Sequence, residues 1–274
     1  MTGIWGIVNV TPDSFSDGGR FLDADAAVSR GLLLRDQGAT VLDVGGESTR
    51  PGAERVSAEV EQERVLPVVE RLAAAGVPVS IDTLNASTAQ AAVRVGARIV
   101  NDVSGGLADP EMLSVVADSG ADFVIGHWRG PSSDMYARAQ YGHTAREIAG
   151  ELHQRMSEAA DAGMDPARLI IDPGIGFAKA GAQNWDVLRD LKEITALGPR
   201  VLIGTSRKRF LAETLRAGES GVPDADGEIS ENRRDLATAV TSALAAHAGV
   251  WAVRVHDVAA TRDALAIAHA WEGK

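Results

Sequence analysis

The sequence predicts an α/β fold, a closed (β/α)8 or TIM barrel in a single domain over residues 1–274, from three observations. Short β-branched apolar runs recur eight times, each followed by a polar or glycine-rich stretch and then by a longer segment with helical spacing. The runs are apolar almost throughout rather than at alternate residues, which demands a parallel sheet covered by helices. Eight such units within 274 residues match the size of a barrel that closes on itself. A doubly wound open sheet is the rival architecture. Its phosphate-binding G-x-G-x-x-G is missing after the first strand, where Thr11-Pro-Asp-Ser-Phe-Ser-Asp-Gly-Gly19 stands instead.

The first strand, 4–10, reads Ile-Trp-Gly-Ile-Val-Asn-Val, and a helix follows at 25–37, stopped by Gly38. The second strand, 40–44, leads to a helix at 58–75 stopped by Gly76, and the third, 78–82, to one at 86–95 stopped by Gly96. Strands at 98–101 and 122–127 come next, then a helix at 146–162 closed by Gly163. Strands six, seven and eight are read at 169–172, 200–204 and 250–255, with helices at 235–248 and 259–271. Glycine recurs as the stop signal because a left-handed residue past the last turn carries no Cβ penalty there. The stretches 129–144 and 217–234 are long connections, read as surface segments, the second either decoration or functional.

Composition narrows the function. A net charge of -11, from 27 basic against 38 acidic residues, argues against nucleic-acid or anionic-membrane partners, which need clustered positive charge. The chain has no cysteine, so disulfides, thiolate metal sites and cysteine nucleophiles are excluded. The opening residues lack a basic segment followed by a long apolar one, and no later apolar run reaches the ~20 residues that span a bilayer. The expectation is a soluble, cytoplasmic protein.

What ends each strand points to the site, because a barrel enzyme builds its active site from those positions. The ends read Asn9; Asp43 with Gly45 and Gly46; Asp82; Asn101 and Asp102; His127; Asp172; Ser206, Arg207 and Lys208; and Arg254 with His256 and Asp257. Any one Asp or Asn there can simply cap the next helix or make a turn, and Asp43, Asp102 and Asp257 are read that way first. Capping does not call for Arg, Lys and His as well. The basic residues after strands seven and eight, in so acidic a chain, predict an anionic group on the substrate. Asp82, Asn101 and Asp172 would offer acceptors, and one mixed acceptor and donor, to a flat nitrogen heterocycle. No H-x-H or H-E-x-x-H occurs, so a metal is not the engine, although Mg²⁺ held by phosphate and one or two side-chain oxygens is compatible. Ser14, Ser48 and Ser206 lack the G-x-S-x-G context of a nucleophile.

Seven segments in order, Asn9-Val-Thr-Pro-Asp-Ser-Phe-Ser-Asp-Gly-Gly19, Asp43-Val-Gly-Gly-Glu-Ser-Thr-Arg-Pro-Gly52, Ser80-Ile-Asp-Thr83, Asn101-Asp-Val-Ser-Gly-Gly106, Asp172-Pro-Gly-Ile-Gly-Phe177, Ser206-Arg-Lys208 and Arg254-Val-His256, resemble the dihydropteroate synthases over nearly the whole chain. The resemblance implies a pterin-binding barrel of folate biosynthesis. It would join 6-hydroxymethyl-7,8-dihydropterin diphosphate to p-aminobenzoate, with release of diphosphate, and be a target of sulfonamides. It implies that Asn9 binds Mg²⁺ and that Asp82, Asn101, Asp172 and Lys208 hold the pterin. Arg254 would stack on the pterin ring and, with His256, meet the diphosphate. Phe15, Thr49, Arg50 and Phe177 would form the aminobenzoate pocket, with Asp17 on the first loop stabilising the reacting pterin. A homodimer is also implied.

One segment departs from the family pattern. Many relatives read Met-His-Met after strand five, where this chain has Gly126-His127-Trp128. Two other functions compete: a methyltetrahydrofolate-dependent methyltransferase barrel, which would have no use for a diphosphate site, and a non-catalytic pterin-binding paralogue. The loop positions of Phe15 and Arg50 generate a first prediction. Phe15→Leu combined with a change at Arg50 should weaken p-aminobenzoate binding more than pterin binding, and calorimetric titration of each ligand checks it. Equal losses would contradict that division of the site.

Overall fold

The structure is a computed structural model and describes residues 1–10, 20–47, 56–130, 138–218 and 228–273. The sequence-predicted site positions Phe15, Asp17, Thr49 and Arg50 lie outside the described residues. Eight strands form one closed barrel in chain order: β1 Gly3–Asn9, β2 Val41–Gly45, β3 Val79–Asp82, β4 Ile99–Asp102, β5 Asp122–Gly126, β6 Leu169–Asp172, β7 Arg200–Ile203 and β8 Ala252–Val255. All neighbours are parallel, and β8 pairs with β1 to close the ring. The predicted strands differ from these by one or two residues at their ends.

Ten helices among the described residues cover the outside: α1 Arg20–Asp36, α2 Ala58–Ala74, α3 Ala86–Arg94, α4 Met112–Ser119, α5 Thr144–Asp161, α6 Gly181–Arg189, α7 Leu191–Thr195, α8 Arg209–Ala217, α9 Glu231–His247 and α10 Val258–Trp271. The first begins five residues before the predicted helix at 25, because apolar periodicity, the sequence signal, starts only with buried Ala24, Ala27 and Val28. In α2, Val65, Val68, Val69 and Leu72 stand at helical spacing and are fully buried, each burial contributing about 1.5–3 kcal/mol. Gly38, Gly76, Gly96 and Gly163 all have positive φ, as expected of helix stops. No helix among the described residues is long and apolar enough to cross a membrane.

The core has two parts. A large cluster fills the space between strands and helices, while Trp5, Val41, Ile99, Val124, Ile170, Leu202 and Ala252 form a separate apolar plug. Register shows the plug to lie inside the ring: Trp5 is level with Val41, Val124 with Ile170, and Leu202 with Ala252. Two residues further along these strands, on the same face, stand Asp43, Asn101, Asp172 and Arg254. The barrel is therefore apolar inside toward its middle and polar toward its C-terminal mouth.

Gly126, where this chain departs from the family pattern, ends β5 against the loop after β4. A Cβ there would lie 2.5 Å from the Val103 Cα, so the loop after β4 can pass this strand only against a glycine. Gly150, in the middle of α5, is the opposite case: a methyl added to it would meet no described atom within 4 Å. Gly126→Ala should therefore lose about 1–3 kcal/mol through overpacking. Gly150→Ala should gain about 0.5–1 kcal/mol from lower unfolded-state entropy and better helix propensity. Urea unfolding of both variants checks the pair, and a tolerated Gly126→Ala would contradict the close approach.

Candidate active site

Four strands meet at one guanidinium. Arg254 on β8 donates from Nε to Asp43 Oδ2 on β2 at 2.5 Å and from Nη2 to Asp82 Oδ2 on β3 at 2.7 Å. Asn101 on β4 adds an Nδ2–H to the same Asp43 oxygen at 3.1 Å. Asp43 has no exposed surface, and its Oδ1 is buried without a hydrogen-bond partner among the described residues. Arg254 and Asn101 are what offset its burial. Burial pulls the Arg254 pKa down, but the Asp43 and Asp82 carboxylates outweigh this and hold it above its usual value. One cation cannot fully compensate two buried carboxylates. Burial, reinforced by Asp43 and opposed by Arg254, pushes Asp82 up to about 7.

A second group gathers between β6 and β7. Asp172 accepts from the Gly174 N–H at 2.7 Å, and burial raises its pKa against the pull of Lys208. Lys208 donates to the Ile175 carbonyl and sets its ammonium 4.7 Å from the centre of the Phe177 ring. Burial lowers the Lys208 pKa to about 8, with Asp172 opposing. Gly204, just past β7, lies beside both cations: a Cβ there would stand 3.8 Å from Arg254 Cβ and 3.9 Å from Lys208 Nζ, in ordinary contact. Asp82, Asn101, Asp172, Phe177, Lys208 and Arg254 thus surround one barrel mouth.

The remaining predicted residues sort more finely. Ser206 Oγ accepts from the His256 backbone N–H at 3.1 Å and meets His256 Nδ1 at 2.7 Å. The hydroxyl thus touches both the backbone and the ring of His256 and sets the ring's orientation. Arg207 does not join the basic cluster. It turns away in a left-handed conformation, φ 57°, and forms a two-pronged ion pair with Asp235 at 2.8 Å and another with Glu231 at 2.9 Å, both on α9. The capping reading holds for two of three aspartates. Asp102 accepts from the N–H groups of Ser104 and Gly106, and Asp257 caps α10 through Ala260 N, whereas Asp43 belongs to the site. Asn9 ends β1 with an exposed side chain level with Gly45.

Sequence reasoning missed Lys179 and Glu151. Lys179 is only 1% exposed and sits on the loop after β6; Glu151, on α5, accepts from His127 and Arg129. A lysine following the glycine-rich end of β6, Gly174-Ile-Gly-Phe-Ala-Lys179, was the available signal for the first. Nothing in the linear pattern marks Glu151, which reads as one of several acids on a helix.

A mouth of carboxylates and an amide backed by buried cations defines a site for a heterocycle bearing an anion, and comparison with known families agrees. Residues 5–256 match the model of the pterin binding enzymes, and the chain belongs to that family. Within it, the chain falls among the dihydropteroate synthases. It is 51% identical to the dihydropteroate synthase of Mycobacterium leprae, covering 97% of this chain and 92% of that one. The Xanthomonas albilineans dihydropteroate synthase, solved with 4-aminobenzoic acid, superposes with a TM-score of 0.89 at 42% identity, covering all of this chain and 94% of that one. The Yersinia pestis dihydropteroate synthase in a sulfonamide drug complex superposes with a TM-score of 0.89 at 33% identity, over 100% of this chain and 95% of that one.

The shared guanidinium yields a stability prediction. Arg254→Met leaves Asp43 and Asp82 buried without their cation and should cost about 3–5 kcal/mol at pH 8. Burial already raises the folded-state pKa of Asp82 to about 7, above the unfolded ~3.9, and loss of the cation raises it further, so stability returns as pH falls through that value. Urea unfolding at pH 8 and pH 5 checks it. A deficit of equal size at both pH values would count against the pairing.

Proposed function

We propose that this enzyme is a transferase of the dihydropteroate synthase reaction: it moves the dihydropterin CH2 group of 6-hydroxymethyl-7,8-dihydropterin diphosphate to p-aminobenzoate. The observation that carries the reading is the convergence of Asp82, Asn101, Asp172, Lys208 and Arg254 on one mouth. Asp82, Asn101 and Asp172 supply acceptors, and the amide one donor, for the mixed edge of a pterin, with Lys208 donating to it. Arg254, held flat between two carboxylates, stacks on the ring and with His256 meets the diphosphate. Ser206 holds the His256 ring through Nδ1 and leaves Nε2 for the diphosphate. Phe177 walls the aminobenzoate side; Phe15, Thr49 and Arg50 complete that pocket, and Asp17 steadies the reacting pterin.

The chemistry asks little of a base. The CH2–O bond breaks as diphosphate leaves with the electron pair, and the ring-conjugated cation is stabilised by nearby carboxylates. The aminobenzoate nitrogen then forms the C–N bond and releases its proton. An arylamine is neutral and nucleophilic at pH 7, so orientation and exclusion of water are the main requirements. Asn9 would offer Mg²⁺ one hard oxygen at the mouth, and a cation there would offset the charge of the leaving diphosphate.

Two finer readings accompany this one. A cysteine-free chain without a membrane-crossing helix among its described residues suits the cytoplasm. A homodimer is supported by exposed Leu236, Val240 and Leu244, spaced four residues apart on α9, beside exposed Ile267 and Trp271 on the neighbouring α10. The test of function is diphosphate release by the purified protein with Mg²⁺ and the dihydropterin diphosphate, with and without p-aminobenzoate. Release coupled to dihydropteroate is expected, and sulfonamides should compete with p-aminobenzoate. Lys208→Ala should lose most turnover, about 10- to 100-fold for a charged hydrogen bond, with an intact circular dichroism spectrum. Near-normal kinetics in that variant would remove Lys208 from the site.

A further inference from the structure

Lys179 is buried more completely than almost any lysine in a soluble protein, and it makes no direct ion pair among the described residues. Its ammonium has three N–H donors and meets three acceptors: the Gly174 carbonyl at 2.9 Å, the Phe177 carbonyl at 2.9 Å and His127 Nδ1 at 3.1 Å. His127 can accept only because its proton lies on Nε2, which faces Glu151 Oε2 at 2.9 Å. Arg129 grips the same carboxylate, and the hydrogen bonds from His127 and Arg129 outweigh burial and hold Glu151 at about 2. The tautomer of His127 is thereby fixed by α5, and the direction of the Lys179 ammonium by His127.

The loop so held is strained and sits at the mouth. Ala178 has φ 48°, a left-handed conformation that persists in a non-glycine residue only where the surroundings over-determine it. Its ends bear on ligand-facing groups: Phe177 stands under the Lys208 ammonium, and Ile175 gives Lys208 its carbonyl. We infer that Lys179 is a positioning residue, set by His127, which fixes the loop after β6 so that Phe177 holds the aminobenzoate side of the site in register. The inference rests on the reaction proposed above for its ligand and on the geometry alone for the loop.

The test separates the two nitrogens of His127. Asn places an acceptor where Nδ1 stands, and Gln places a donor where Nε2 stands. His127→Asn should therefore keep near-normal kinetics, while His127→Gln and Lys179→Met should raise KM for p-aminobenzoate about tenfold and change KM for the dihydropterin diphosphate less than twofold. Amide hydrogen exchange should accelerate at 174–178 in the latter two variants and stay unchanged in His127→Asn. Equal rises in both KM values, or His127→Gln behaving as wild type while His127→Asn fails, would overturn the assignment. If the unmutated protein makes no dihydropteroate, the reaction reading fails, and the exchange pattern still decides whether Lys179 and His127 hold the loop.

Discussion

A closed barrel has no interior solvent to share its charges with, and the whole C-terminal mouth depends on how one guanidinium is divided between two carboxylates. Arg254 reaches across from β8 to Asp43 and Asp82 on β2 and β3, while Asn101 on β4 braces Asp43 from the other side. The arrangement ties the closing strand of the ring to three strands on its far side. Burial still outweighs the pull of Arg254, and with Asp43 adding to it raises the pKa of Asp82 to about 7. A ligand that brings N–H donors to Asp82 supplies what Arg254 alone cannot.

Beneath this layer lies the apolar plug built around Trp5, and above it the loops. That stacking gives the polar layer a rigid floor, and Gly126 is where a side chain gives way so that the backbone at Val103 can approach. The loop after β6 is the opposite case. Besides the buried Ile175 and Ala178, polar side chains hold it: Asp172 and Asn184 accept from Gly174 and Gly176, and the two lysines donate to its carbonyls. Charged anchors of this kind fix a loop in one shape without filling the space the substrate needs.

The chemistry follows from the same division of labour. The proposed reaction needs no nucleophile activated by a base, because ionisation creates the electrophile and the amine arrives already nucleophilic. Buried cations matter on the leaving-group side and buried carboxylates on the heterocycle side. Barrel topology brings them together by placing the ends of β3 and β4 opposite those of β7 and β8.

The sequence by itself determined the eight alternations, their order and the residues that line the mouth, because strand ends in a barrel are site positions and Asp82, Asn101, Asp172, Lys208 and Arg254 each end or follow a strand. It also determined the glycine stops, since left-handed geometry is a local matter. Only the tertiary structure decided which charges meet. Asp43, Asp102 and Asp257 look alike in the chain, yet two cap backbone and one holds Arg254 from 211 residues away. Arg207 and Lys208 are neighbours, yet one pairs with α9 and the other faces the mouth. Lys179 found His127 and Glu151 through contacts 52 and 24 residues apart. Periodicity reports which face of an element is buried, but the sign and partner of a buried charge are set by side chains from distant strands, and that information exists only once the ring has closed.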